Sequence, residues 1–279
     1  MPNLFEIVLV AGVLWIAALW IWSTWTGRNT LEPFQVAATA AATAATATGT
    51  PEPLEWSQST ADKKARESQE CIILQTFDDD ELAQARVELM SDSCEGGLPH
   101  TVGTTAIRIT EKVWSEASVE RRNDILRHER VHLLQRRYPE EWEDFYQQKW
   151  GYRTALQPPA NMPADVLEHT RGNPDTFPKR WACWRQRYWF IPVFTDCRNP
   201  NILNSTVRIW DATKRAWLSE PPAEWRLTFC GERGACPAQF EHPAEIAAEY
   251  WTNIEKWSGE TKDSAPAAFA LRSFIPSLL

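Results

Sequence analysis

The sequence predicts an α+β domain placed behind one N-terminal membrane-spanning helix. Three observations carry this. Residues 7–27 hold no charged side chain, and a low-complexity Ala/Thr stretch follows them. Beyond residue 54, short apolar runs with strand character are interspersed with longer stretches of helical pattern. That mixture of periods separates α+β chains from all-α or all-β ones.

Each segment has its own reason. A helix over 7–27 rises about 1.5 Å per residue and spans about 30 Å, the hydrocarbon thickness of a bilayer. Trp20, Trp22 and Trp25 stand at its C-terminal end, where indole rings favour the membrane–water interface. A cleaved signal peptide is the rival reading, but the six residues before the span hold no Lys or Arg and no small-residue cleavage site follows it. We therefore expect an anchor over 1–27 and membrane lipid as its partner. The side on which the domain lies stays open. Arg28 leans towards a cytosolic domain by the positive-inside rule. Six cysteines could form three disulfides, which leans the other way, or remain free thiols. Residues 28–54 have no large apolar side chain after Val36 apart from Leu54 and read as a flexible linker. A single folded domain is expected over 55–279.

Within that domain, 71–77 reads as a strand. Residues 80–90, with acidic residues at the start, read as a helix. A second strand is expected over 104–110. Ser118 is placed to cap a helix that runs to about Arg137 and stops at Tyr138-Pro139. A shorter helix is expected over 140–149. Residues 151–180 carry five prolines and read as mostly irregular. A strand over 189–194 and a hairpin pairing 207–210 with 215–218 follow. Residues 243–257 read as a final helix, with Pro243 in its first turn.

Composition narrows function. The 279-residue chain carries 29 Lys and Arg against 37 Asp and Glu, a net charge of −8. Nothing in that balance supplies the cationic surplus that nucleic-acid binding needs, so no nucleic-acid partner is expected. Hydrophobic residues make up 43%, enough for a packed core. The sixteen tryptophans read mainly as core, with an aromatic surface for a partner or a sugar as the alternative.

One motif carries chemistry. His128-Glu129-Arg130-Val131-His132 fits H-E-x-x-H within the helix predicted behind Ser118. Four residues advance a helix by about 400°, so both imidazoles fall on one face, one turn apart. Two nitrogens then converge near one tetrahedral metal, and Glu129 stands beside them. A catalytic site needs a third protein ligand. Extension to H-E-x-x-H-x-x-G-x-x-H is excluded, because Gln135 and Tyr138 hold those positions. Glu245 is the favoured third ligand. Glu249, four residues on, could accept a hydrogen bond from a ligand histidine. His169 and His242 are the other candidates. The chain has no G-x-S-x-G, P-loop or dinucleotide-binding motif.

The run His128–Gln135, followed by His242-Pro243-Ala244-Glu245-Ile246-Ala247-Ala248-Glu249, resembles the gluzincin branch of zincin metallopeptidases. It is closest to the small gluzincin domains with H-E-x-x-H-x-x-Q and a later N-P-x-E-x-x-A-D/E helix. The resemblance covers two short segments. It implies a zincin-like fold, with Zn2+ held by His128, His132 and Glu245. It also implies Glu129 as general base and Glu249 as the carboxylate supporting a ligand. Three departures stand out: Arg130 sits where such helices are usually uncharged, His242 replaces the Asn before Pro, and the gap from His132 to Glu245 is long. The gap implies an insertion over about 151–235 that could roof a cleft or bind a partner. The expected activity is membrane-anchored, zinc-dependent endopeptidase action on a protein or peptide. Tyr250 is the candidate for stabilising the oxyanion, with Tyr138, Tyr152 and the arginines as rivals, and residues 106–109 are the candidate strand for aligning substrate. The alternative is a non-catalytic, Trp-rich membrane-anchored structural or assembly protein with a degenerate site.

Overall fold

The helix predicted behind Ser118 organises the domain. It spans Val119–Arg137, and the Ser118 side chain accepts a hydrogen bond from Arg121 N. Glu120 lies in its first turn and Arg136 and Arg137 in its last, each matched to the helix dipole. Every residue from Glu129 to Leu134 is buried. A helix facing water on one side would alternate; this one is covered on two sides. The computed structural model describes residues 59–79, 85–232, 234–259 and 264–278. The predicted anchor (1–27) and linker (28–54) lie outside them. Among the described residues no helix is long and apolar enough to cross a membrane.

In chain order, helix α1 (Thr60–Arg66) leads into strands β1 (Ile73–Asp79), β2 (Ala85–Met90), β3 (His100–Val102) and β4 (Ala106–Thr110). Helix α2 (Glu111–Glu116) and the long helix, α3, follow. Then come α4 (Pro139–Phe145) and a π-helical turn, Tyr146–Trp150. The next elements are β5 (Tyr152–Ala155), α5 (Ala164–Leu167), β6 (Trp181–Trp184), β7 (Tyr188–Phe194), β8 (Ser205–Asp211) and β9 (Ala216–Leu218). Helices α6 (Ala223–Phe229), α7 (Pro243–Thr252), α8 (Ile254–Ser258) and α9 (Pro266–Phe274) complete the fold, which is α+β as expected.

The first sheet has the order β1-β2-β4-β3. β2 and β4 run parallel, while β1 and β3 are antiparallel to their neighbours. Val87, Leu89, Ile107 and Ile109 pack from this sheet onto Ile125, Leu126 and Leu133 of α3. The second sheet is an antiparallel meander, β5 to β9, built from the predicted insertion. Its Trp184, Phe190 and Ile209 join a larger core with Val131 and Leu134 of α3, Trp142, Phe145, Trp225, Phe229 and Ile246. Its opposite face carries a separate cluster of Trp181, Ile191, Val193 and Trp210 under Met162 and Val166. The core reading of the tryptophans therefore holds for Trp142, Trp150, Trp181, Trp184, Trp210, Trp225 and Trp257, all buried. Four of these indoles still place their N–H, Trp210 on Asn161 Oδ1 at 3.3 Å. Trp150 donates to Ala267 O at 3.0 Å, Trp184 to Trp150 O at 2.9 Å and Trp225 to the Tyr152 hydroxyl at 2.7 Å. Unpaired, each such group would cost about 1–3 kcal/mol and erode the gain from burying the ring.

Several expectations need correction. Residues 85–90 are a strand, not part of a helix. The sequence Ala-Arg-Val-Glu-Leu alternates apolar and polar with period two, and pairing with β1 and β4 on both edges settles it. Residues 106–109 do not line a rim. β4 lies between β2 and β3, and β3 is the edge strand. Residues 151–180 are mostly irregular as expected, apart from short elements such as β5, which pairs with β6. The helix expected over 243–257 stops at Thr252, because Asn253 leaves helical geometry (φ −139°, ψ 60°) and caps α8 by accepting from Lys256 N. It is not the last helix, since α9 follows.

Two disulfides form, Cys71–Cys94 and Cys230–Cys236, while Cys183 and Cys197 are free. The first ties the lead-in of β1 to the turn after β2, and the second closes the loop after α6. We predict two titratable thiols in the denatured, unreduced protein and six after reduction; four or more before reduction would refute this pairing.

Candidate metal centre

Two helices bring the motif residues together. α3 presents His128 and His132 one turn apart, with ring centroids 4.9 Å from each other. α7 packs against α3 and carries Glu245 in its first turn, where the positive end of the helix dipole favours a carboxylate. Glu245 Oε2 lies 3.3 Å from His128 Nε2 and 3.5 Å from His132 Nε2. Four ligands at about 2.0–2.1 Å around a tetrahedral ion are spaced by about 3.3–3.4 Å. The separations match that edge. His132 Nε2 is buried and carries no hydrogen bond.

Neighbours fix the orientation of these donors. His132 Nδ1 meets Gln135 Oε1 at 2.8 Å, so Nδ1 carries a proton and Nε2 is the nitrogen that faces the cluster. The same carboxamide donates from Nε2 to Ala244 O at 3.0 Å, joining α3 to α7. Asn173 Nδ2 donates to Glu245 Oε1 at 2.7 Å and leaves Oε2 to the histidines. Sequence reasoning assigned no role to either residue. For Gln135 a signal was present, its place three residues after the second His. For Asn173, in an irregular stretch far from both motif segments, there was none.

Charge in the cluster is unbalanced towards acid. Burial disfavours a charge on Glu245, but His132 and His128 outweigh it and hold the carboxyl well below its usual range. Burial likewise opposes protonation of His132, yet Glu245, Asp175 and Glu129 push its pKa up to about 10. Glu129 moves the other way. Burial first, then the nearby Asp175 carboxylate, raise its pKa well above the ordinary value, and its Oε2 is buried without a hydrogen bond. Glu129, His132 and Asp175 place ligand-type atoms within 4.8 Å of one another, as do His128, His132 and Glu245. A buried cluster in which three acidic side chains crowd His132, with His128 beside Glu245, is an environment that a divalent cation would relieve.

The remaining candidates fall elsewhere. Glu249 shares the Glu245 face of α7, but its Oε2 accepts from Ala238 N at 2.7 Å and Gln239 N at 3.0 Å. It pins the loop before α7 while its carboxyl stays within electrostatic reach of His128, and at His132 the ring is held by Gln135. Tyr250 is also corrected. It lies five residues past Glu245, about 140° further round the helix. Its buried hydroxyl donates to Phe229 O at 2.6 Å, which commits it to the core. Tyr152 is similarly buried, and its hydroxyl accepts from Trp225. His242 is not a ligand here. Its Nδ1 accepts from Ala244 N at 3.1 Å, capping α7, and Nε2 faces Lys179 O at 3.0 Å. It thus performs the cap that an Asn would make before Pro243.

No family model, curated protein or solved structure matches this chain. The site therefore has to be judged on its own geometry.

His242 yields a pH prediction. Burial lowers its pKa to about 4, against about 6.5 in an unfolded chain. The unfolded state takes up the proton first, so this contribution to stability is complete above about pH 6.5 and is lost as pH falls towards 4. We expect His242→Asn, which keeps an acceptor for Ala244 N, to remove up to about 3 kcal/mol of the acid dependence between pH 7 and 4. Urea unfolding at both pH values reads this, and parallel losses in parent and variant would contradict it.

Proposed function

We propose that this domain is a zinc-dependent endopeptidase of gluzincin type, hydrolysing peptide bonds of a protein or peptide substrate. The observation that carries the reading is the meeting of His128, His132 and Glu245 Oε2 at separations that match the edge of a tetrahedral site. The donor set suits zinc, which takes imidazole nitrogen and carboxylate oxygen in catalytic sites with three protein ligands. Zinc bound there would supply Lewis acidity to the scissile carbonyl and to a water.

The chain's own residues have separate duties. Gln135 and Asn173 orient donors, so that little reorganisation accompanies binding. Glu129 neighbours a ligand but is bonded to none, and burial, which raises the pKa of its carboxyl, favours holding a proton there. It would take a proton from water and deliver it to the leaving amine. Burial of Glu129 and His132 keeps bulk water from competing with these groups. The uncharged residues 7–27 would hold the domain at a membrane as a single-pass anchor.

Metal analysis comes first. One zinc per chain is expected, lost in His128→Ala and weakened about 10–100-fold in Gln135→Ala. Glu129→Gln should keep the metal and abolish peptide cleavage. A parent chain without zinc would sink the proposal in favour of a structural domain, and full cleavage by Glu129→Gln would refute the assigned base.

A further inference from the structure

Between α5 and β6 the chain crosses the front of the cluster as a strap that is extended at Asn173 and then closes into a 3-10 turn, Pro174–Thr176. On one side it continues the second sheet. Arg171 N donates to Pro192 O at 2.9 Å, Phe194 N donates to His169 O at 3.1 Å, and Thr170 bridges Val193. On the other side α1 holds it. Ser59 Oγ donates to Thr170 O at 2.6 Å, Asp62 Oδ1 accepts from Gly172 N at 3.0 Å, and Arg66 Nη2 donates to Gly172 O at 3.0 Å. Arg66 is itself paired with Glu95 and Asp62 in a buried cluster.

Past Gly172 the strap reaches the edge strand. β3 has one neighbour, β4, and its other edge is open in the sheet order. An extended peptide that adds to a sheet pairs with such an edge through main-chain hydrogen bonds. Here the groups it would use are taken. Thr101 N and Oγ1 donate to Asp175 Oδ1 at 2.7 and 2.5 Å, and Thr101 O accepts from Arg136 Nη2 at 3.2 Å. Arg136 Nη2 also donates to Pro174 O at 2.7 Å, clasping the strap to α3. Asn173 rests on Glu245, and Asp175 stands beside Glu129 and His132. Thr101 is only 1% exposed as a result.

We propose that residues 170–176 form a self-blocking strap. Asp175 occupies the position on the Thr101 amide that a substrate carbonyl would take, so the described conformation is a latent form of the enzyme. This inference rests on the peptidase reading and adds its regulation. Substrate of extended polypeptide type enters only when the Pro174–Thr176 turn leaves β3, with Asn173 staying on Glu245. Asp62 and Arg66 anchor the strap at Gly172, the fixed side of that movement. Binding then carries the penalty of a binding-competent state that is only fractionally populated, which weakening the clasp removes.

The test uses the full-length, zinc-loaded protein and two probes. A fluorescein-labelled degenerate decapeptide pool reads binding by anisotropy, and labelled casein reads hydrolysis. Asp175→Ala removes the acceptor for Thr101, and Arg136→Gln opens the clasp from the opposite side, so a folding failure in one leaves the other. Both should bind the pool about tenfold more tightly and cleave casein several-fold faster. Asp175→Asn keeps an oxygen acceptor for the Thr101 amide and should bind the pool no more tightly than the parent. If neither opened variant gains pool binding while each holds one zinc, the strap is overturned and the peptidase reading stands. If the parent holds no zinc, the peptidase reading falls, and pool binding still decides whether the strap blocks the β3 edge.

Discussion

Everything near the cluster depends on the packing of α7 against α3. That contact sets a carboxylate on one helix against two imidazoles on the other, and Gln135 fixes its register. The carboxamide holds His132 Nδ1 with its oxygen and the Ala244 carbonyl of α7 with its nitrogen. A single planar group therefore sets the tautomer of one donor and the position of the helix bearing another. Neither task tolerates much play, since donors around one ion must agree within a few tenths of an ångström.

The surrounding core explains how such a charged cluster persists. Glu129, His132 and Glu245 are almost completely buried, and burying charge costs several kcal/mol per group unless partners offset it. Part of the offset is internal, through the histidine–carboxylate contacts and the Asn173 bond. The rest comes from the mass of aromatic and aliphatic packing beside it, where Trp142, Trp150, Trp184, Trp225 and Phe229 hold α3, α7 and the second sheet together. Each large ring buried adds about 1.5–3 kcal/mol. Tryptophan abundance thus serves rigidity around the cluster. The second sheet is part of that support, and the segment leading into it, through Asn173 and Asp175, becomes part of the site itself.

Parts of this were legible in the sequence because they depend on near neighbours. Ser118 caps α3 where a small hydroxyl before a helical run should, and Pro139 ends it. The hairpin of β8 and β9 follows from two apolar runs around a turn. The spacing of His128 and His132 alone puts both on one face of a helix. Glu245 was the favoured third ligand on its place in a second predicted helix, and the structure does place it against both histidines. Tyr250 was misjudged because helical spacing says which face a residue occupies and nothing about competing partners. The Phe229 carbonyl claims its hydroxyl.

The sequence by itself determined the local devices: helix caps, the turn-spaced histidines, the period-two strands and a composition able to fill a core. Tertiary structure alone decided which strand is the edge, that Gln135 and Asn173 orient the donors, and that the strap runs along β3. Periodicity and capping act over a few residues, where chain connectivity already enforces proximity. The Asn173–Glu245 and Thr101–Asp175 contacts join residues more than seventy positions apart, and such pairs meet only once helices and sheets have packed.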